Sequence, residues 1–278
     1  MKSRLVFNNS FDNSILESKW LSSLKKFIIT YHTFEILKIS KATLFKIIEN
    51  SFTHLTKIQS VAIPFQICGF NIMGSSSTGS GKTLAFLIPS IEFIYTTRWK
   101  SSLGTGVIII SPTRELAVQT YYVSKDFASV HSYSFGLMIG GSNKNVEIEK
   151  ISKGMELVIG TPGRLLDHLK STKNFIFNNL QILVIDEADR CLEVGFEEEI
   201  ASILGLIPKK KQTIMFSATQ NTSLRNLTKI SFLSPPIFIG EYYRTSMNKN
   251  HIKQGFLITN QENKFISLIT FLKKNFNK

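Results

Sequence analysis

Two cysteines, two tryptophans, seven prolines and five histidines are all that the 278-residue chain contains of these types. Cys68 and Cys191 stand far apart, with no C-x-x-C spacing. That pattern excludes a disulfide framework and a cysteine zinc site, and it points to a reducing compartment. The histidines are scattered, and each reads as an ordinary surface or core residue rather than a metal ligand. Long apolar runs are missing as well. The longest, near 84–95, is interrupted by Pro89 and Glu92 and is too short to cross a bilayer, so no membrane association is expected. The start, Met1-Lys2-Ser3-Arg4, turns polar at Asn8-Asn9-Ser10 before an apolar signal core forms, so secretion is not expected. Acidic residues are scarce: 20 Asp and Glu against 33 Lys and Arg leave a net charge of +13. This favours an anionic partner, nucleic acid first, although a soluble basic surface would give the same count.

Apolar residues make up 43% of the chain, enough for a sizeable core in one large domain or two small ones. Asn, Lys, Ile and Phe are heavily used, even at surface-like positions such as Lys209-Lys210-Lys211. Their codons are A/T-rich, which points to a biased genome rather than a functional tract.

The stretch that organises the chain is Ser76-Ser77-Thr78-Gly79-Ser80-Gly81-Lys82-Thr83. It follows a short apolar run and opens a helical pattern at Leu84. A glycine-rich turn between strand and helix aims backbone N–H groups into one concavity that suits a phosphate chain. Lys82 can reach the β- and γ-phosphates, and Thr83 can ligate Mg²⁺. Ser76 stands where the G-x-x-x-x-G-K-[ST] pattern has its first glycine. By itself the stretch is also compatible with a tight turn carrying an exposed lysine.

Residues 1–30 read as a loosely packed extension. Ser40 caps an expected helix over 41–48, and Thr56 caps the next, which begins near Gln59. Gln59 is either an exposed helix residue or, by the geometry of its amide, a reader of the N6 and N7 edge of adenine. From residue 71, strand-like runs at 72–73, 107–110, 136–139, 157–159, 182–185 and 213–216 alternate with helical periodicity at 114–127, 146–153, 165–170, 197–206 and 224–230. The runs are continuously apolar, as in strands covered on both faces. The alternation predicts an α/β fold, a doubly wound and mostly parallel sheet with helices on both faces, ending near Pro235-Pro236.

In a parallel sheet, loops that follow strands gather at one edge. Polar clusters follow almost every expected strand: Pro112-Thr113-Arg114, Gly140-Gly141, Thr161-Pro162-Gly163-Arg164, Asp186-Glu187-Ala188-Asp189 and Ser217-Ala218-Thr219. Asp186 ends a buried strand, where a carboxylate is costly without a cation, and suits a Mg²⁺ position through water. Glu187 is placed to orient or deprotonate a water attacking a γ-phosphate. The alternative for this cluster is an acidic helix cap paired with Arg190. The hydroxyls, backbone N–H groups and guanidinium forks of Thr113, Arg114, Thr161, Gly163 and Arg164 suit phosphodiester oxygens, and none of these loops carries an evident stacking aromatic. Backbone tracking with little sequence readout is therefore expected. Helix capping alone would also account for either loop taken singly. Ser217 and Thr219 can bridge to the acidic cluster, at Asp189, and couple the two sites.

Taken together, these residues resemble the DEAD-box RNA helicases over about 34–240. Asp186-Glu187-Ala188-Asp189 is the name-giving sequence. Gln59, with Phe34 upstream, resembles the adenine-reading Q motif, the aromatic stacking on the base. Ser76 through Thr83 resemble motif I, where the family usually has Ala for Ser76. Pro112 through Leu116 resemble motif Ia, Gly140-Gly141 the GG element, Thr161 through Arg164 motif Ib, and Ser217 through Thr219 motif III.

The resemblance implies a RecA-like domain over 31–240 that uses ATP and Mg²⁺ to separate or remodel RNA, acting as a monomer. Residues 161–169, 185–199 and 212–220 resemble the nucleolar ribosome-assembly subgroup, which implies pre-ribosomal particles as partners and a nuclear or nucleolar location, a reduced A/T-rich nucleus being one setting, with the cytoplasm as the alternative. Residues 241–278 resemble a linker and the start of a second RecA-like domain, with 263–275 as its first helix. The H-R-x-G-R-x-x-R stretch of that domain, which supplies arginine fingers, does not occur in this sequence. A fragment or truncated helicase is the expectation, with a non-catalytic RNA- and nucleotide-binding module as the alternative. A P-loop kinase or GTPase fits less well, since no N-K-x-D occurs.

Overall fold

The computed structural model describes residues 33–75, 79–219, 222–240 and 255–276. The expected extension over 1–30, the loop residues Ser76, Ser77 and Thr78, and the linker at 241–254 lie outside the described residues. The chain divides into two compact units between Glu241 and Tyr242. The second contains a 3-10 turn, Gln261–Asn263, running into a helix over Lys264–Asn275.

The strands of the first unit are β1 (Ile72–Ser75), β2 (Val107–Ile110), β3 (Phe135–Met138), β4 (Leu157–Gly160), β5 (Ile182–Ile185), β6 (Gln212–Ser217) and β7 (Ile237–Gly240). They form one sheet in the order β3-β4-β2-β5-β6-β1-β7. Every pairing is parallel, with registers such as Ile72 opposite Ile214 and Val107 opposite Leu157. The helices are α1 (Lys41–Glu49), α2 (Lys57–Ile67), α3 (Lys82–Thr96), α4 (Arg114–Ala128), α5 (Lys144–Lys153), α6 (Pro162–Ser171), α7 (Ala188–Glu193), α8 (Glu197–Leu206) and α9 (Thr222–Ser231).

Successive strand residues point to opposite faces, and the two cores divide accordingly. Val107 and Ile109 join Ile72, Ile182, Val184, Ile214 and Phe216 in one cluster, covered by Ile47 of α1, Ile63 of α2, Phe86 of α3 and Phe127 of α4. Ile108 and Ile110 join Val158, Leu183, Ile185 and Met215 in the other, covered by Ile151 of α5, Leu165 of α6, Ile203 of α8 and Leu227 of α9. Both faces are buried, which is why the strands read as continuous apolar runs. Ser40 and Thr56 cap α1 and α2 as expected, accepting from the Thr43 and Gln59 backbone N–H groups.

One strand lies beyond the expected end of the alternation. β7 pairs with β1 beyond Pro235-Pro236 and forms a sheet edge, with Phe238 67% exposed. Asn71 seats it: its carbonyl accepts from Ile237 N at 2.8 Å, and its side-chain amide donates to Ser234. The short helix α7 begins inside the Asp186–Asp189 cluster, where the helix-cap alternative places a helix start.

Candidate functional site

Parallel strands bring six polar loops to one edge, and the sheet order sorts them. From one side the loops carry Gly140-Gly141 after β3, Thr161 to Arg164 after β4, and Pro112 to Arg114 after β2. Next come Asp186 to Asp189 after β5, Ser217 to Thr219 after β6, and Gly79 to Thr83 after β1. In sequence the first group forms one block, and the second is split to either side of it. In space each occupies three neighbouring strands, and they meet between β2 and β5.

In the second group, Gly79 and Gly81 both have positive φ, 76° and 90°, the left-handed region that glycine adopts without a Cβ clash. Gly81 is the N-cap of α3, and a Cβ there would lie 2.5 Å from Gln59 Nε2. The turn thus delivers Lys82, 7% exposed, to the first position of α3 beside Asp186. Asp186 is itself 6% exposed. Burial pushes its carboxyl up to about 6, Lys82 opposes the rise, and the Glu187 charge adds to it. Its Oδ1 accepts from Glu187 N at 3.0 Å. Glu187 caps α7 in the left-handed region, with φ 45°. For a residue with a Cβ this costs about 1–2 kcal/mol, a strain typical of functional positions. The cap-and-pair alternative is also realised, since Arg190 Nη1 donates to Glu187 Oε2 at 3.3 Å.

Among the described residues no cluster of three or more His, Cys, Asp or Glu side chains could hold a metal ion. The donor set still fits Mg²⁺, which takes one or two carboxylates and completes its shell with phosphate oxygens and water. Asp186 is a buried carboxylate whose ionisation is opposed by desolvation, the penalty a divalent cation relieves. Thr83, the second residue of α3, carries a hydroxyl of the kind that would complete such a set.

Gln59 and Phe34 stand differently from the expectation. Gln59 is 3% exposed, and both amide atoms have protein partners: Nε2 donates to Gly81 O at 2.9 Å and Oε1 accepts from Thr56 N at 2.9 Å. Phe34 is 2% exposed and packed into the first core cluster. Its ring can meet a base only if the residues over it move.

Asp189 ties two loops together. Its Oδ2 accepts from Ala218 N at 3.1 Å, Thr219 N at 2.9 Å and Thr219 Oγ1 at 2.9 Å. Ser217 Oγ donates to Thr219 O at 2.7 Å. The bridge expected from the hydroxyl residues is present, with Thr219 meeting the carboxylate and Ser217 folding the turn.

The first group lines a surface cavity of about 460 Å³, where Pro112, Thr113, Arg114, Gly140, Thr161, Gly163 and Arg164 come together with Glu115 and Phe196. Thr113 caps α4, accepting from Leu116 N at 3.3 Å. Pro162 is buried at the first turn of α6, where its fixed φ starts the helix rather than facing the cavity. Arg114 lies flat on the paired glycines: a Cβ on Gly140 would be 3.1 Å from Nη2 and one on Gly141 2.8 Å from Nη1. Arg164 is braced by Glu147 at 2.7 Å and by Ser142 O at 2.8 Å. Phe196, half-buried between α7 and α8, brings an aromatic that the loop sequences gave no reason to expect; it lies outside every polar cluster.

A family model described as DEAD/DEAH box helicase matches residues 56–227. The chain belongs to this family. The probable ATP-dependent RNA helicase pitchoune of Drosophila melanogaster is 47% identical over 238 residues, covering 85% of this chain and 35% of that protein. The ATP-dependent RNA helicase HAS1 of Saccharomyces cerevisiae is 45% identical over 244 residues, covering 87% of this chain and 48% of that protein. A crystal structure of a DEAD box protein from the hyperthermophile Methanococcus jannaschii superposes with TM-score 0.70 at 31% identity, over 87% of this chain and 64% of that one. The chain therefore spans about a third to a half of the length of these curated relatives. Within this DEAD/DEAH box helicase chain, the matched span holds every site residue from Gln59 to Thr219, while Phe34 lies before it.

Proposed function

We propose that residues 31–240 are the RecA-like ATP-binding domain of an ATP-dependent RNA helicase, with nucleotide at the β5-β6-β1 loops and RNA at the β3-β4-β2 loops. The observation that carries this reading is the spatial sorting of the six loops into two contiguous groups. Backbone amides of residues 76–83 and the N-terminus of α3 hold the phosphates, and Lys82 neutralises the β- and γ-oxygens. Thr83 and Asp186 would hold Mg²⁺, which supplies charge neutralisation on the phosphate oxygens when bound. Glu187 orients the attacking water and accepts its proton, with Arg190 setting its carboxylate. Thr113, Arg114, Thr161, Gly163 and the Gly140-Gly141 turn follow the RNA backbone, so affinity depends little on sequence. Asp189, bonded to Ala218 and Thr219, carries a change in the β5 loop into the β6 loop.

The subgroup resemblance of 161–169, 185–199 and 212–220 supports a further reading, work on pre-ribosomal particles in a nucleolus. The experiment that tests the two-site reading measures nucleotide and single-stranded RNA binding separately on residues 1–278. Lys82→Ala should abolish nucleotide binding and leave RNA binding in place, and Arg114→Ala should do the reverse. Loss of both ligands in either variant would merge the sites and end the proposal.

A further inference from the structure

We infer that Glu147 is a positioning residue for RNA binding, fixing Arg164 as a brace between the Gly140-Gly141 turn and the loop that starts α6. The inference rests on the reading of the 460 Å³ cavity as the RNA site. Glu147 lies in the first turn of α5 and is 6% exposed. A buried carboxylate beside a polyanion site repels the ligand, so its presence calls for another reason. Its contacts supply one. Oε2 accepts from Arg164 Nε at 2.7 Å and lies 2.7 Å from His168 Nε2. Oε1 accepts from Ser142 Oγ and from Ile139 N at 3.4 Å. One carboxylate therefore joins the end of β3, the turn after it and α6.

Arg164 closes the ring by donating from Nη2 to Ser142 O at 2.8 Å. Two of its nitrogens are committed to protein acceptors, and its side chain is 15% exposed. His168, fully buried, stands behind: Nε2 lies on Glu147, and Nδ1 lies 2.9 Å from Thr172 Oγ1. The two arginines of the cavity thus differ. Arg114 lies over glycines facing the cavity, while Arg164 holds the walls apart at a set distance. Thr161 and Gly163 then meet successive phosphates from a fixed frame.

The test uses residues 1–278 and a single-stranded oligouridylate as probe, titrated at several salt concentrations. Glu147→Gln removes a negative charge, so simple electrostatics would tighten RNA binding and steepen its salt dependence by about one unit. A brace gives the opposite sign: binding weakens by about tenfold, and Arg164→Ala adds little to Glu147→Gln in the double variant. Tighter binding, or additive losses, would overturn the inference. A second readout needs no RNA. Amide hydrogen exchange at 139–143 and 161–165 should speed up by about tenfold in Glu147→Gln, with 82–96 unchanged. Unchanged exchange in both loops would also overturn it. Should Glu147→Gln not fold, Arg164→Lys keeps the charge, loses the fork and must show the same loop exchange. If Arg114→Ala leaves RNA binding untouched, the cavity is not the RNA site and that reading fails, while the exchange arm still decides the brace.

Discussion

Gln59 Nε2 donates to the Gly81 carbonyl across 2.9 Å, so the residue that closes the capping box of α2 also holds the end of the turn that opens α3. Adenine can replace both of its partners at once, its N6 amino group donating to Oε1 and its N7 accepting from Nε2. Base binding would then be an exchange in which Gly81 loses its tie to α2. Gln59→Ala is expected to weaken ATP by about tenfold and GTP much less, measured by displacement of a fluorescent nucleotide. Equal losses would leave Gln59 a part of the turn alone.

Gly141→Ala strikes the paired glycines where Arg114 rests. Its φ is +86°, and the new Cβ would lie 2.8 Å from Arg114 Nη1. The strain costs about 1–2 kcal/mol of stability, and Arg114 must leave its seat. RNA affinity should fall toward that of Arg114→Ala, with nucleotide affinity unchanged. Gly205→Ala, where the new methyl meets nothing within 4 Å, is the control for helix glycines. Wild-type RNA binding in Gly141→Ala would show that Arg114 does not act from this seat.

The fold was legible in the sequence because both faces of the sheet are buried, so each inner strand appears as an unbroken apolar run. β7 escaped because it is an edge strand behind two prolines, with Phe238 turned outward. The loop clusters were legible because parallel strands force them to one edge. Their sorting into two groups was not, since strand order depends on crossovers that no local pattern records. The Arg164–Glu147–His168 network joins residues 17 and 21 positions apart on different helices, and each reads as an ordinary polar helix residue in isolation. Phe34 and Gln59 were recognisable as types, while their burial depends on how α2 packs against α3.

The Glu147 carboxyl gives a pH prediction of definite sign. Burial alone would raise it, but hydrogen bonds from His168, Ser142 and Arg164 outweigh burial and hold it at about 2, against 4.5 ordinarily. A carboxyl lower in the folded state contributes stability above its unfolded value, lost as pH falls through the folded one. Thermal melting of the wild type should therefore fall more steeply than that of Glu147→Gln between about pH 4.5 and about pH 2. Other carboxyls contribute a background common to both proteins. Parallel curves across that window would mean that the network does not hold the ionised form.

The last prediction concerns chemistry on the polypeptide of residues 1–278. Phosphoryl transfer needs the charge that develops on the γ-phosphoryl oxygens neutralised from more than one side. Lys82, with the group that Thr83 and Asp186 would hold, covers one. Arginine fingers on the other side are worth roughly 10³–10⁵ in rate in related nucleotide-hydrolysing systems. No stretch of this sequence matches the one that supplies them in DEAD-box helicases. Three arginines of the described loops have other partners or other places. Arg190 pairs with Glu187, Arg164 with Glu147, and Arg114 lies on the glycines after β3. Steady-state phosphate release with saturating RNA should consequently be slower by about 10³-fold or more than that of a full-length helicase of this family. A second RecA-like domain, added in cis or as a separate polypeptide, should restore it. Turnover at the full-length rate from residues 1–278, abolished by Glu187→Gln, would mean that this one domain completes its own catalytic site.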